Sequence, residues 1–109
     1  MIVLAYQSPE RVTAFLERYE PKVFTPHTVV DKTRLRAQID QVLQCGYALS
    51  EEQLEVGMRG VAVPVRNHHG VVVGAISVSM QTGKESGSEA LARVLPVLQE
   101  TASLLRAVV

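Results

Sequence analysis

The sequence predicts one α/β domain of the α+β kind: a short antiparallel sheet that ends in a C-terminal hairpin and is packed by about three helices. Three observations predict it. Met58 to Arg66 and Val71 to Met80 read as two strands, joined by Asn67-His68-His69-Gly70, whose length and composition suit a tight hairpin turn. Elsewhere apolar residues recur at the three- and four-residue spacing of amphipathic helices. At 109 residues the chain also falls in the roughly 100–150 residue range of a single core.

The elements follow in order. Ser8-Pro9-Glu10 starts a helix: a hydroxyl to cap free amides, a proline whose missing N–H costs nothing at the first position, and an acid near the positive dipole end. It runs to Arg18 or Tyr19, with Val12, Phe15, Leu16 and Tyr19 on the inward face. Pro21 and Pro26 then forbid regular helix, which leaves Val23 to Val29 extended. Asp31 caps a second helix with an apolar stripe of Leu35, Ile39, Val42 and Leu43, while Arg34, Arg36, Gln38, Asp40 and Gln41 face water. Gly46 supplies its left-handed stop.

Tyr47-Ala48-Leu49 is a short strand, Ser50 to Gln53 an acidic turn, and Leu54-Glu55-Val56 an extended piece that bends at Gly57. After the hairpin, the polar stretch Thr82 to Gly87 reads as a mobile loop. A last helix starts near Ser86 or Ser88 and turns Leu91, Val94, Leu95, Leu98, Ala102 and Leu105 inward, with Pro96 as a kink.

Composition excludes several function classes. Eleven basic residues balance eleven acidic ones, and no Lys/Arg cluster stands out, so this chain is not expected to hold DNA by itself. No apolar run approaches the roughly 20 residues of a membrane span, and Met1 to Ala5 lacks the basic region of a signal peptide. Cys45 is the one cysteine, which excludes an internal disulfide and fits a reducing, cytoplasmic setting.

Candidate chemistry centres on the last strand. Its period of two puts Val71, Val73, Ala75, Ser77 and Ser79 on one face. Two neighbouring hydroxyls then project together beside the small Ala75 and Gly60, an arrangement that suits an organic anion or phenol in a mostly apolar cleft. The same serines would also be ordinary on a solvated sheet face.

Catalytic and metal readings fall away. Gly83-Lys84 lacks the earlier glycine and the following Ser/Thr of a phosphate loop, and Ser77 lacks a Gly-x-Ser-x-Gly elbow. His68 and His69 diverge on a turn and, with His27, lack further metal ligands at recognisable spacing. Glu51 and Glu52 read as an exposed charged turn, and Cys45 as a small packing residue. No enzyme is expected, nor any cofactor or metal. Arg59, facing away from Met58 and Gly60, is assigned to a structural salt bridge with Glu51, Glu52 or Glu55.

Val3-Leu4-Ala5, Phe24-Thr25-Pro26-His27-Thr28, Gly46-Tyr47-Ala48-Leu49, Gly57-Met58-Arg59, Val61-Ala62-Val63-Pro64-Val65, Ala75-Ile76-Ser77-Val78-Ser79 and Leu95-Pro96, in this order and spacing, resemble the C-terminal effector-binding domain of IclR-type transcription regulators. Within the family, Gly46-Tyr47-Ala48-Leu49 with Leu54-Glu55 and Val63-Pro64-Val65-Arg66-Asn67 is most similar to the branch that controls aromatic-acid breakdown, the protocatechuate and β-ketoadipate regulators.

The resemblance implies a GAF-like plan and a small aromatic, dicarboxylic or keto acid as effector. It places the effector contacts on Ser77 and Ser79, on Ser50, and on Met58 and Gly60. The family often carries aspartate at the place of Ser50 and cysteine or serine at that of Gly60, so those two polar contacts differ here. It also implies that residues 1–109 are the second half of such a domain, with a winged helix-turn-helix for DNA and a glycine-rich helix start for the ligand carboxylate both lying before Met1. From that follow two expectations: weak or absent effector binding by this chain, and a homo-oligomer formed through uncovered sheet edge and helix faces. The rival reading is a non-catalytic oligomerisation or interaction module without ligand.

Overall fold

The computed structural model describes residues 1–20 and 22–109; the expectation placed on Pro21 lies outside them. The order is α1 (Ile2–Ala5), α2 (Pro9–Arg18), α3 (Lys32–Cys45), β1 (Ala48–Glu51), β2 (Met58–Arg66), β3 (Val72–Gln81) and α4 (Gly87–Leu105). Three antiparallel strands in the order β1-β2-β3 form the sheet. The fold is α+β, with four helices rather than three. The added one, α1, is too short to show periodicity in sequence and is held by burial of Ile2 and Ala5.

The expected helix signals operate. Ser8 Oγ accepts from the Arg11 amide with Pro9 in the first turn, Asp31 accepts from the Thr33 amide, and Ser86 and Glu89 form a reciprocal capping box at the start of α4. Gly46 ends α3 at φ +78°, a backbone state that a side chain would strain. Pro96 lies inside α4 without ending it.

Cross-strand register sorts the sheet into two faces. Val61 and Val63 of β2 lie opposite Val78 and Ile76 of β3 and bury against Leu98, Leu91, Val94 and Leu95 of α4. On the other face Ala48 and Ala62 pack against a second cluster, built from Ile2, Ala5, Val12, Leu16, Ile39 and Val42 of the first three helices. The sheet is thus a wall between two apolar clusters. β2 alternates strictly between half-buried and buried residues, with the buried set on the face that packs against α4; β3 flanks it along its length and β1 only from Arg59 to Ala62.

Several expectations need correction. Phe15 is exposed and stacks on Tyr19 with centroids 5.1 Å apart, and Leu43 is exposed as well. A helical stripe tells direction but not whether anything lies over it. The segment from Val23 to Val29 is not extended throughout: a turn closes from the Thr28 amide to the Thr25 carbonyl. Ser50 and Glu51 belong to β1, whereas Leu54 and Val56 stand exposed in a turn instead of an extended piece. Cys45 is exposed rather than packed. His68 and His69 do not diverge, since their rings lie 4.0 Å apart.

Candidate functional site

The register gathers the five residues assigned to effector contact. Ser50, Gly60 and Ser79 face one another across β1, β2 and β3 in one row; Ala48, Ala62 and Ser77 form the next, and Met58 lies opposite Gln81 beyond. All therefore share the sheet face that is turned away from α4. No large side chain interrupts the two rows. A Cβ built on Gly60 would meet the Ser50 Cβ and the Val78 carbonyl at 3.9 Å, ordinary contact distance, so the glycine leaves open space between the serines without being sterically required.

Enclosure is a different matter. Ser50, Met58 and Gly60 are half-buried, but Ser77 and Ser79 are exposed and do not line the cavity beside Ser50. The neighbouring concavity lies one strand over. A cavity of about 250 Å³ at the outer edge of β1 takes in Ser50 together with Tyr47, Gln38, Gln41 and Gln53. Gln38 was expected to face water. Its Oε1 is instead buried without a hydrogen-bond partner. The signal was present in its spacing, three residues from Leu35 and four from Val42, which puts it at the margin of the α3 stripe.

A clamp fixes the turn beside Ser50 and Met58. Thr25 is buried, donates to the Glu52 carbonyl at 2.5 Å and accepts from the His27 amide at 3.0 Å. The Thr28 hydroxyl bonds the Gln53 carbonyl and accepts from the amides of Phe24 and Thr25. Glu52 itself adopts φ +55°, uncommon outside glycine; its carboxylate accepts from the Gly57 amide at 2.8 Å, and His27 stands 3.6 Å from it. The Thr-Pro-His-Thr segment thus ties the connector between α2 and α3 to the hairpin that carries the site. Thr25→Val keeps shape but removes the donor, and is expected to lower unfolding free energy by about 1–2 kcal/mol. Denaturant titration checks this, and an unchanged midpoint would contradict the clamp.

On the α4 side Arg59 is buried, as its alternation with Met58 and Gly60 required, and pairs with Glu51 at 2.5 Å while donating to the Glu85 carbonyl at 3.1 Å. Of its three sequence candidates, Glu51 is the partner. The Arg93 guanidinium donates to both Glu85 carboxylate oxygens, so Glu85, in the loop before α4, is held through its backbone and its side chain. That hydrogen bond holds the Glu85 carboxyl below its ordinary value of 4.5, against partial desolvation and with added attraction from Arg93 and Arg59. A depressed acid contributes stability above its unfolded pKa and loses it as pH falls through the folded one. Arg93→Gln is therefore expected to reduce stability at neutral pH, with the difference from the native chain shrinking as pH falls below 4.5 and through the depressed folded value. Urea melts across this range test it, and a difference that persists in acid counts against the pair.

Among the described residues, no helix is long and apolar enough to cross a membrane, and no group of three or more His, Cys, Asp or Glu is placed to hold a metal ion. Residues 1–107 match the family described as the bacterial transcriptional regulator IclR C-terminal domain. The chain is 33% identical over 105 residues to the p-hydroxybenzoate hydroxylase transcriptional activator of Acinetobacter baylyi, covering 96% of this chain and 39% of that protein. It is 35% identical over 97 residues to the Pca regulon regulatory protein of Pseudomonas putida, covering 89% and 33%. Among solved structures, the inducer-binding domain of a double mutant of PobR from Acinetobacter in complex with 3-hydroxybenzoic acid superposes with a TM-score of 0.91 at 33% identity, over 99% of this chain and 62% of that one. The C-terminal domain of KdgR from Escherichia coli does so with a TM-score of 0.86 at 33% identity, over 97% and 64%. The chain spans well under half the length of the two full regulators.

Proposed function

Because the chain belongs to the IclR-type transcriptional regulators, through their C-terminal effector-binding domain, we propose that it senses a small aromatic, dicarboxylic or keto acid and passes its state to a winged helix-turn-helix domain outside these 109 residues. The observation that carries the reading is the row Ser50-Gly60-Ser79 beside Ser77 on one sheet face. Ser50 and Ser79 flank Gly60 in that row and Ser77 lies in the next, an arrangement that suits the oxygens of a hydroxylated acid with room for its ring over the glycine. The similarity to a domain solved with 3-hydroxybenzoic acid supports the same chemistry. Regulation of aromatic breakdown, a cytoplasmic location and assembly as a homo-oligomer belong to this proposal. The unpaired outer edge of β3, ten residues without a charge, supports the last of these.

Titrating 3-hydroxybenzoate into the isotope-labelled chain tests it. Weak binding is expected, roughly millimolar, because exposed serines exchange water for ligand with little net gain. Amide shifts should cluster at Ser50, Gly60 and Ser79, and Ser77→Ala with Ser79→Ala together should weaken them. Absence of any shift on this face, across a panel of aromatic and keto acids, would favour the interaction module without ligand, the reading that the exposure of both serines supports.

A further inference from the structure

We propose a second ligand site, for a small oxyanion, at the far end of the sheet. β1 stops pairing at Ala48 opposite Ala62, so β2 from Val63 to Arg66 has no strand on its outer edge. The notch left there is a cavity of about 260 Å³ lined by Tyr6, Val63, Pro64, Arg66, Ser103 and Arg106, among others. No aspartate or glutamate lines it, and among the described residues neither arginine has an acidic partner.

Both guanidiniums are oriented by the hairpin turn. Arg66 Nη1 donates to the Gly70 carbonyl at 2.9 Å and Arg106 Nε to the Asn67 carbonyl at 3.0 Å. Arg66 also lies over the Tyr6 ring, 5.0 Å from its centroid. These bonds use few of the N–H donors on each fork, and the rest remain for a ligand. Arg106 is the C-cap of α4, so its charge offsets the negative dipole end that would otherwise repel an anion.

The volume falls below the roughly 300–1,000 Å³ of a drug-sized site, which limits the ligand to something the size of phosphate or a benzoate. A nucleic-acid backbone fits poorly, since the feature is a notch on a chain of zero net charge rather than a basic stripe. The site shares no residue with the Ser50-Gly60-Ser79 row and stands without the effector reading.

Inorganic phosphate and benzoate, titrated separately into the full chain and followed by amide shifts, test the inference and separate the two oxyanion chemistries. Saturable shifts at Tyr6, Gln99 and Ser103 are expected with at least one probe, weakened roughly tenfold or more by Arg66→Gln and by Arg106→Gln and left unchanged by Ser77→Ala with Ser79→Ala. Ser103→Glu places a competing carboxylate at the rim and should abolish the shifts even if an arginine variant folds poorly. Three results overturn the proposal: no saturation with either probe at tens of millimolar, equal affinity in folded arginine variants, or shifts confined to the serine row.

Discussion

Arg59→Ala is expected to lower the unfolding free energy by about 2–3 kcal/mol. Removing one member of a buried ion pair usually costs about 3–5 kcal/mol; Glu51, at 40% side-chain exposure, can be rehydrated once its partner leaves, which moderates the loss. The lost contacts reach three elements at once. Arg59 sits in β2 and holds Glu51 at the end of β1 and the Glu85 carbonyl just before α4, while its aliphatic stem fills space on the buried face. For a domain of this size the melting temperature should fall by roughly 10–20 °C. Glu51→Gln should cost less, because the amide can still accept from the guanidinium. Equal loss from both variants, or an Arg59→Ala melt that matches the native chain, would remove Arg59 from this role.

The largest effect of a simple truncation is expected at Ile39. It is 1% exposed, at the centre of the cluster that joins α1, α2 and α3 to Ala48 and Ala62 of the sheet. Ile39→Ala removes three carbons from a packed interior and should cost about 3–4 kcal/mol, from lost transfer energy and from the cavity left behind. Ile39→Val should cost only about 1 kcal/mol. Urea unfolding of the pair measures both. If the alanine variant loses less than the valine variant, the helices do not close over the sheet as described.

The hairpin was legible because its information is local: two runs rich in β-branched residues around an Asn-x-x-Gly turn, with alternation that also put Arg59 opposite Met58 and Gly60. The caps at Ser8, Asp31 and Ser86 were legible for the same reason. α1 was not, since four residues carry no period and their helix exists through the burial of Ile2 and Ala5. The sharing of one face by Ser77 and Ser79 followed from the strand period, but their meeting with Ser50 and Gly60 depends on register between strands. Enclosure is less legible still. Both notches in the sheet border draw their walls from separate elements: the spacing of Gln38 marks only the margin of a helical stripe, and Arg106 near the end of α4 gave no sign of the wall it joins.

β2 carries Gly60 toward the serine row and its immediate neighbours, Arg59 and Val61, toward α4. A nudge to the backbone on the first side is therefore felt on the second within a single peptide unit, with no chain of intervening contacts to relay it. The two sides of the sheet are thus one residue apart at this strand, and a change of bulk at Gly60 bears directly on the residues packed beneath the long helix.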